Sequence, residues 1–228
     1  DQVAMGAGTE KYAASAGLER GPQDDLAAKS HQRAAAAAKN GLFENEIVPV
    51  EVPQRKGDPV VVDTDEGVRG DTTADSLGKL RPAFDKAGNI TAGNASQISD
   101  GASAVVVASK EAAERLGASV LGEIVGYGQV AGPDPSLLTQ PSRSIKAAAE
   151  AAGIDVADID LFELNEAFAA VGLASMDDLG ITDDVVNVNG GAIALGHPLG
   201  MSGTRVALTL MLELQRRGGG LGAAALCG

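Results

Sequence analysis

The chain is predicted to be an α/β protein, with helices layered on strands, and three features of its sequence carry that expectation. Strand-like apolar runs alternate with helix-like runs through its second half. Apolar residues make up 44% of the 228 positions but aromatics only 3%, with no Trp, so a sizeable core has to be packed from Ala, Val, Leu and Ile. The 30 glycines gather late in the chain, where strands give way to loops, the usual place for ligand sites in α/β folds.

In chain order, residues 1–8 read as a loop and 9–16 as a short helix stopped by Gly17. Asp24-Asp25 can cap a second helix that runs through 26–39, carries the small run 34–38 and stops at Asn40-Gly41. Residues 47–52 and 60–62 are rich in β-formers and flank the polar turn 54–58. Residues 69–79 are charged loop with a helical turn, and 80–84 lead into a turn at 85–89. A boundary falls near residue 100, beyond which the pattern becomes regular. Residues 104–108 form a continuous apolar strand that calls for burial on both faces. A helix at 110–116, a strand at 120–127 and a helix at 142–152 follow. Then come a strand at 159–164, a helix at 166–179, a short strand at 185–188, an amphipathic helix at 202–217 and a final apolar strand at 221–227.

A formal net charge of −13 excludes a uniformly basic nucleic-acid surface, although local Arg, Lys or helix N-termini still allow an anionic ligand. The single cysteine, Cys227, rules out an intrachain disulfide and fits a reducing, cytoplasmic setting. No apolar run approaches the ~20 residues of a membrane span, and residues 1–8 lack the pattern of a signal peptide. They also lack an initiator Met, which leads to the expectation of a start inside a longer protein.

Three late features carry the chemistry. Asn165-Glu166-Ala167-Phe168 follows an apolar strand; Asn165 reads either as a helix cap or as an amide that holds a water or carbonyl in a cleft. In the Gly-rich run 187–200, His197 stands between Gly196 and Pro198, where an imidazole can act as base or donor near neutral pH. The spacing does not match a phosphate-binding Walker loop. Cys227-Gly228 ends a buried-looking strand; Cys227 is either an inert small hydrophobe or a thiol used as base or nucleophile. With one Cys, and with His31 and His197 far apart, no zinc site is expected.

Together these residues resemble the thiolase family. Asn165-Glu166-Ala167-Phe168, Gly196-His197-Pro198 and Cys227-Gly228 are similar, in order and spacing, to its three C-terminal catalytic blocks. Thr91-Ala92-Gly93-Asn94-Ala95-Ser96 with Asp100-Gly101, and Leu80-Arg81-Pro82-Ala83-Phe84, resemble its coenzyme A-binding segments, and Met5-Gly6 with Thr9-Glu10 resembles the entry to its substrate-covering loop domain. The resemblance implies a thiolase fold: part of the loop domain at 1–99, a remnant of the N-terminal domain at 100–120, and the layered α-β-α C-terminal domain at 121–228, its last strand truncated. It implies Claisen condensation of acetyl-CoA to acetoacetyl-CoA, or thiolysis of 3-ketoacyl-CoA in reverse, with acyl-CoA as partner, no cofactor, and a homodimer or homotetramer.

By the same resemblance, Cys227 is the acid/base at the acetyl α-carbon. His197 activates the acylated nucleophile and joins an oxyanion hole, and Asn165 holds a water that completes it. Arg69, Ser76 and Ser96 contact coenzyme A, and Met5, Ala83, Phe84, Ala92 and Phe168 line the pantetheine tunnel. The sequence departs from the family at Ala4, where many members have His, and at Gln97, where Gly is frequent. The family's nucleophilic Cys belongs to an N-terminal half expected to lie outside this chain, which is therefore expected to be inactive by itself. Two rivals weigh less. A β-ketoacyl synthase places a second His where Asn165 stands, and a binding module with a degenerate site would not keep Asn165, His197 and Cys227 together.

Overall fold

The computed structural model describes residues 3–227; Asp1, Gln2 and Gly228 lie outside them, and with them the start of the expected leading loop and the last residue of the Cys227-Gly228 pair. The chain opens with α1 (Met5–Ser15) and α2 (Arg20–Lys39). Alanine is the strongest helix former and adds almost no bulk. Ala27, Ala28, Ala34 and Ala37 make up much of the buried face of α2. This helix starts earlier than expected, so Asp24 is no cap. It accepts instead from Arg20 Nε at 2.5 Å and from Asn94 Nδ2 at 2.9 Å, fastening the helix to the segment that carries Ser96.

Strands β1 (Val50–Val52) and β2 (Val60–Val62) form an antiparallel hairpin whose six residues are all exposed. Helix α3 (Ala74–Leu77) is one turn closed by a capping box between Thr73 and Ser76. Helices α4 (Lys110–Leu116) and α5 (Gln140–Ala152) end at Gly117 and Gly153, each with a left-handed φ. The remaining elements are β3 (Leu161–Leu164), α6 (Ala169–Leu179), α7 (Ala192–Leu195), α8 (Leu199–Arg216) and β4 (Gly222–Ala225).

β3 and β4 pair in parallel, from Leu161 opposite Gly222 to Leu164 opposite Ala225. Successive side chains of a strand point to opposite faces. Phe162 and Leu164 accordingly join one core with Leu26 of α2, Ile145 of α5, Met176 of α6 and Ile193 of α7. Glu163 points the other way, to α8, where Arg205 lies 3.4 Å from its carboxylate. The result is α-β-α layering, with α8 so close to the sheet that a Cβ on Gly222 would stand 2.8 Å from Leu210.

Several sequence expectations need correction. Residues 104–108 and 120–127 are not strands, and Val106, Val107, Ile124 and Tyr127 are exposed. A strand exists only as part of a ladder, and among the described residues no strand lies beside these runs. The second run instead crosses the helices: Gln215 Nε2 of α8 donates to Leu121 O at 3.0 Å, and a Cβ on Gly126 would stand 2.6 Å from Ala148 O of α5. Residues 185–188 make one bridge, Val186 to Phe162, after a 3-10 turn at Asp183–Val185. α6 starts at Ala169, three residues later than expected.

Burial pushes Glu163 up from 4.5 to about 8, against the pull of Arg205. The folded state thus holds this proton more tightly than the unfolded chain does. Its contribution to stability is complete below 4.5 and is lost as pH rises through about 8. Thermal melts at pH 6 and pH 9 should show a fall in the parent chain that Glu163→Gln largely abolishes.

Candidate active site

Asn165 continues the β3–β4 ladder by one residue, its main-chain N–H donating to Ala225 O at 2.9 Å. Its side chain is fully buried. With α6 beginning at Ala169 and Phe168 in the cap position, Asn165 is not a helix cap. Its Nδ2 lies 3.2 Å from His197 Nε2, and its Oδ1 is a buried acceptor with no partner among the described residues. Such an atom is costly to leave unpaired, and it points to a polar ligand atom as its complement.

His197 sits between α7 and α8. Gly196 before it has φ 91, and a Cβ there would fall 2.2 Å from Ser99 Oγ, so only glycine fits this approach. Its main-chain N–H donates to Gln97 O at 3.2 Å. On the ring, Nδ1 lies 2.6 Å from Ser202 Oγ, which itself donates to Pro198 O at 2.9 Å. With its one proton used there, Ser202 accepts from Nδ1–H. Nε2 then carries the lone pair and accepts from Asn165 Nδ2. Burial, aided by the Arg205 charge, holds His197 below the ordinary imidazole value, so the ring is neutral near pH 7.

Glu166 has a role the sequence reading missed. It is 2% exposed; its Oε2 accepts from Ser30 Oγ at 2.6 Å and Ile193 N at 3.0 Å, and its Oε1 from Asn187 Nδ2 at 2.9 Å. Ser30 Oγ also accepts from Gly191 N at 3.0 Å. A Cβ on Gly191 would sit 2.2 Å from the Glu166 carboxyl carbon. Asn187, at φ 45, is fixed to both main-chain groups of Leu164, at 2.9 and 2.8 Å. Ser202, five residues after His197 on the first turn of a helix, was likewise within reach of a sequence argument.

Cys227 is the free thiol that follows β4. It is buried in an apolar cluster with Ala167, Phe168, Ala170 and Val171, and burial pushes its thiol up to about 11. It forms no hydrogen bond with Asn165 or His197, so its link to them is packing against the residues that follow Asn165. Among the described residues no group of His, Cys, Asp and Glu could hold a metal ion.

The residues assigned to coenzyme A by resemblance divide into two sets. Phe84 and Phe168 stack edge to face at 6.2 Å, and the Phe84 ring covers Gly6, the neighbour of Met5. Ala83 N–H donates to Ile90 O at 2.8 Å, bringing that turn toward Ala92. Ser96 N–H donates to Ala167 O at 3.0 Å, and Ala169 N–H to Asn94 O at 2.9 Å, so the 94–96 segment runs along the Asn165 motif. Arg69 and Ser76 are exposed and outside this group: Arg69 N–H donates to His31 Nδ1 at 3.2 Å, and Ser76 Oγ is occupied by the Thr73 capping box.

An amide and an imidazole in contact at the carboxyl end of β3, with a buried thiol following β4, place the candidate site at the strand ends of an α/β protein. Residues 1–111 match the family described as thiolase, N-terminal domain, and residues 118–228 match thiolase, C-terminal domain. A probable acetyl-CoA acetyltransferase of Mycolicibacterium smegmatis is 58% identical over 98% of this chain, which spans 58% of that relative. The crystal structure of the Bacillus anthracis acetyl-CoA acetyltransferase superposes with a TM-score of 0.95 at 40% identity, over 99% of this chain and 57% of that one. Human mitochondrial 3-ketoacyl-CoA thiolase gives 0.90 at 42% identity, over 98% and 56%. The chain belongs to the thiolase family and spans somewhat over half the length of these relatives.

The raised thiol can be read directly, because the chain has one cysteine. Only the thiolate alkylates. Iodoacetamide should label the folded chain slowly at pH 8, with the rate still climbing at about pH 10.5, because the thiol is raised from 9.0 to about 11. A rate that levels off by about pH 10, just above the ordinary thiol value of 9.0, would mean that burial does not control this sulfur.

Proposed function

We propose that this chain supplies the proton-transfer and oxyanion-binding part of a thiolase site. The reaction is Claisen condensation of two acetyl-CoA to acetoacetyl-CoA and coenzyme A, or thiolysis of a 3-ketoacyl-CoA in reverse. The observation that carries this reading is the Asn165–His197 contact with the unpaired Asn165 Oδ1 beside it. A thioester enolate needs a base at the α-carbon and donors aimed at the developing oxyanion.

Three groups can divide that work. Cys227 takes the α-proton of the acetyl thioester and returns it to the enolate carbon in the thiolytic direction. The neutral Nε2 of His197 accepts the proton of a nucleophilic thiol and, once protonated, becomes a donor to an oxyanion. Asn165 Oδ1 holds a water whose other proton points at the same oxygen. The Phe84–Phe168 pair, with Met5, Ala83, Ala92 and Ser96 around it, accommodates the pantetheine arm, and Arg69 and Ser76 meet the nucleotide end of coenzyme A. The reaction uses no cofactor beyond the thioesters. A cytoplasmic location and a homodimer or homotetramer complete the proposal. The first is supported by the lone unpaired thiol, and among the described residues no helix is long and apolar enough to cross a membrane.

A second thiol must carry the acyl group between the two coenzyme A thioesters, because one sulfur cannot hold the acyl group and take the α-proton at once. Cys227 is the one cysteine of this chain. Assayed by itself for cleavage of acetoacetyl-CoA in the presence of coenzyme A, the chain is expected to show no turnover. Turnover is expected on mixing with the nucleophile-bearing N-terminal part of a thiolase. In that mixture Cys227→Ala or His197→Asn should lower the rate about 10²–10⁴-fold. Cleavage by the chain alone at the rate of an intact thiolase would make Cys227 the nucleophile and overturn this division of roles.

A further inference from the structure

We propose that Gln97 is a positioning residue for His197, fixing the loop that carries the imidazole and tying it to the turn that carries Arg69. Its importance for acyl transfer rests on the function proposed above; its geometry does not. The Nε2 amide donates to Ile193 O at 2.9 Å, to Ala194 O at 3.0 Å and to Gly67 O at 3.2 Å. Ile193 and Ala194 belong to the final turn of α7, where helix carbonyls have no intrahelical partner. The amide therefore closes the helix end that leads into Gly196-His197. An NH2 group has two protons for these three carbonyls, so one N–H is shared.

The main chain of the same residue completes the grip. Gln97 O accepts from His197 N–H at 3.2 Å and lies within 3.4 Å of Ser99 Oγ, the atom that leaves no room for a Cβ on Gly196. Just before Gln97, residues 94–96 run along 167–169. One short segment thus registers the Asn165 side of the site against the His197 side. Gly67 O accepts from Arg69 Nη1 as well, at 3.3 Å, so the Gln97 amide also reaches the Arg69 turn. A glycine at this position would leave the Ile193, Ala194 and Gly67 carbonyls without this donor.

The two histidines make the test direct. Long-range 1H–15N spectra of the labelled 228-residue chain report which ring nitrogen of each imidazole carries the proton, with His197→Gln supplying the assignment. In the parent, His197 is expected to show a protonated Nδ1 and a well-separated, unprotonated Nε2. Gln97→Met keeps the length of the side chain and removes the donor. It should draw the two His197 resonances together as the loop shifts away from Asn165, with the thermal midpoint confirming a folded chain. Gln97→Lys restores a donor and should restore the separation. A folded Gln97→Met chain with the parental His197 pattern overturns the proposal, and so does a folded Gln97→Lys chain that has lost it. Should Gln97→Met not fold, Gln97→Lys decides alone: separation retained supports the role and averaging refutes it. The readout is a tautomer of the chain alone and not turnover, so a failure to gain turnover on mixing with the N-terminal part of a thiolase counts against the acyl-transfer reading only.

Discussion

A carboxylate removed from water is tolerated only when its lone pairs are filled, and Glu166 is where this constraint shapes the molecule. Its two oxygens receive a hydroxyl from α2, an amide from the loop before α7 and a main-chain N–H from α7. These partners lie up to 136 residues from Glu166 in sequence. The Gly-rich loop can wrap this carboxylate because Gly191 adds no side chain and because Asn187 tolerates a positive φ while its amide bonds back to Leu164. The His197 loop inherits its path from these contacts. The residue next to Asn165 in sequence thus sets the place of the imidazole that Asn165 touches.

The electrostatics of the site follow from the same dryness. A resting thiolate–imidazolium pair would need a lowered thiol and a raised imidazole. Here burial moves both the other way, Cys227 up to about 11 and His197 below its ordinary value. Both groups therefore rest neutral near pH 7, and in the function proposed charge is created only when a substrate is present. In a low-dielectric site, donors already aimed at a developing oxyanion are worth more than they would be in water.

How far the sequence was readable depended on how local each signal was. Helix ends at Gly117 and Gly153 need only a residue that tolerates positive φ, and both were legible. The motif residues stood out because each follows a strand or sits in a glycine run. The strand expectations for 104–108 and 120–127 failed because apolar composition says that a segment wants covering but not by what, and a ladder partner is a property of the fold. Asn165 read as well for a cap as for a site residue. Its burial against His197, 32 positions away, is a long-range fact. Glu163 and Arg205 gave no signal, since their pairing requires β3 against α8.

Topology explains why Asn165 meets His197 and why Cys227 packs against the residues that follow Asn165. Parallel neighbours end on the same edge of a sheet, so the residues following β3 and β4 emerge together. Extending the register beyond Leu164 and Ala225 sets Cys227 opposite Glu166, one residue past Asn165. The crossover joining the two strands must return along the sheet. It does so through α7 and α8, and the junction of those helices, Gly196-His197-Pro198, falls at the same edge. Amide and thiol are thus delivered by the strand pair and imidazole by the connection between the strands. The contacts of Gln97 and Glu166 convert that rough convergence into the 3.2 Å approach of Asn165 to His197.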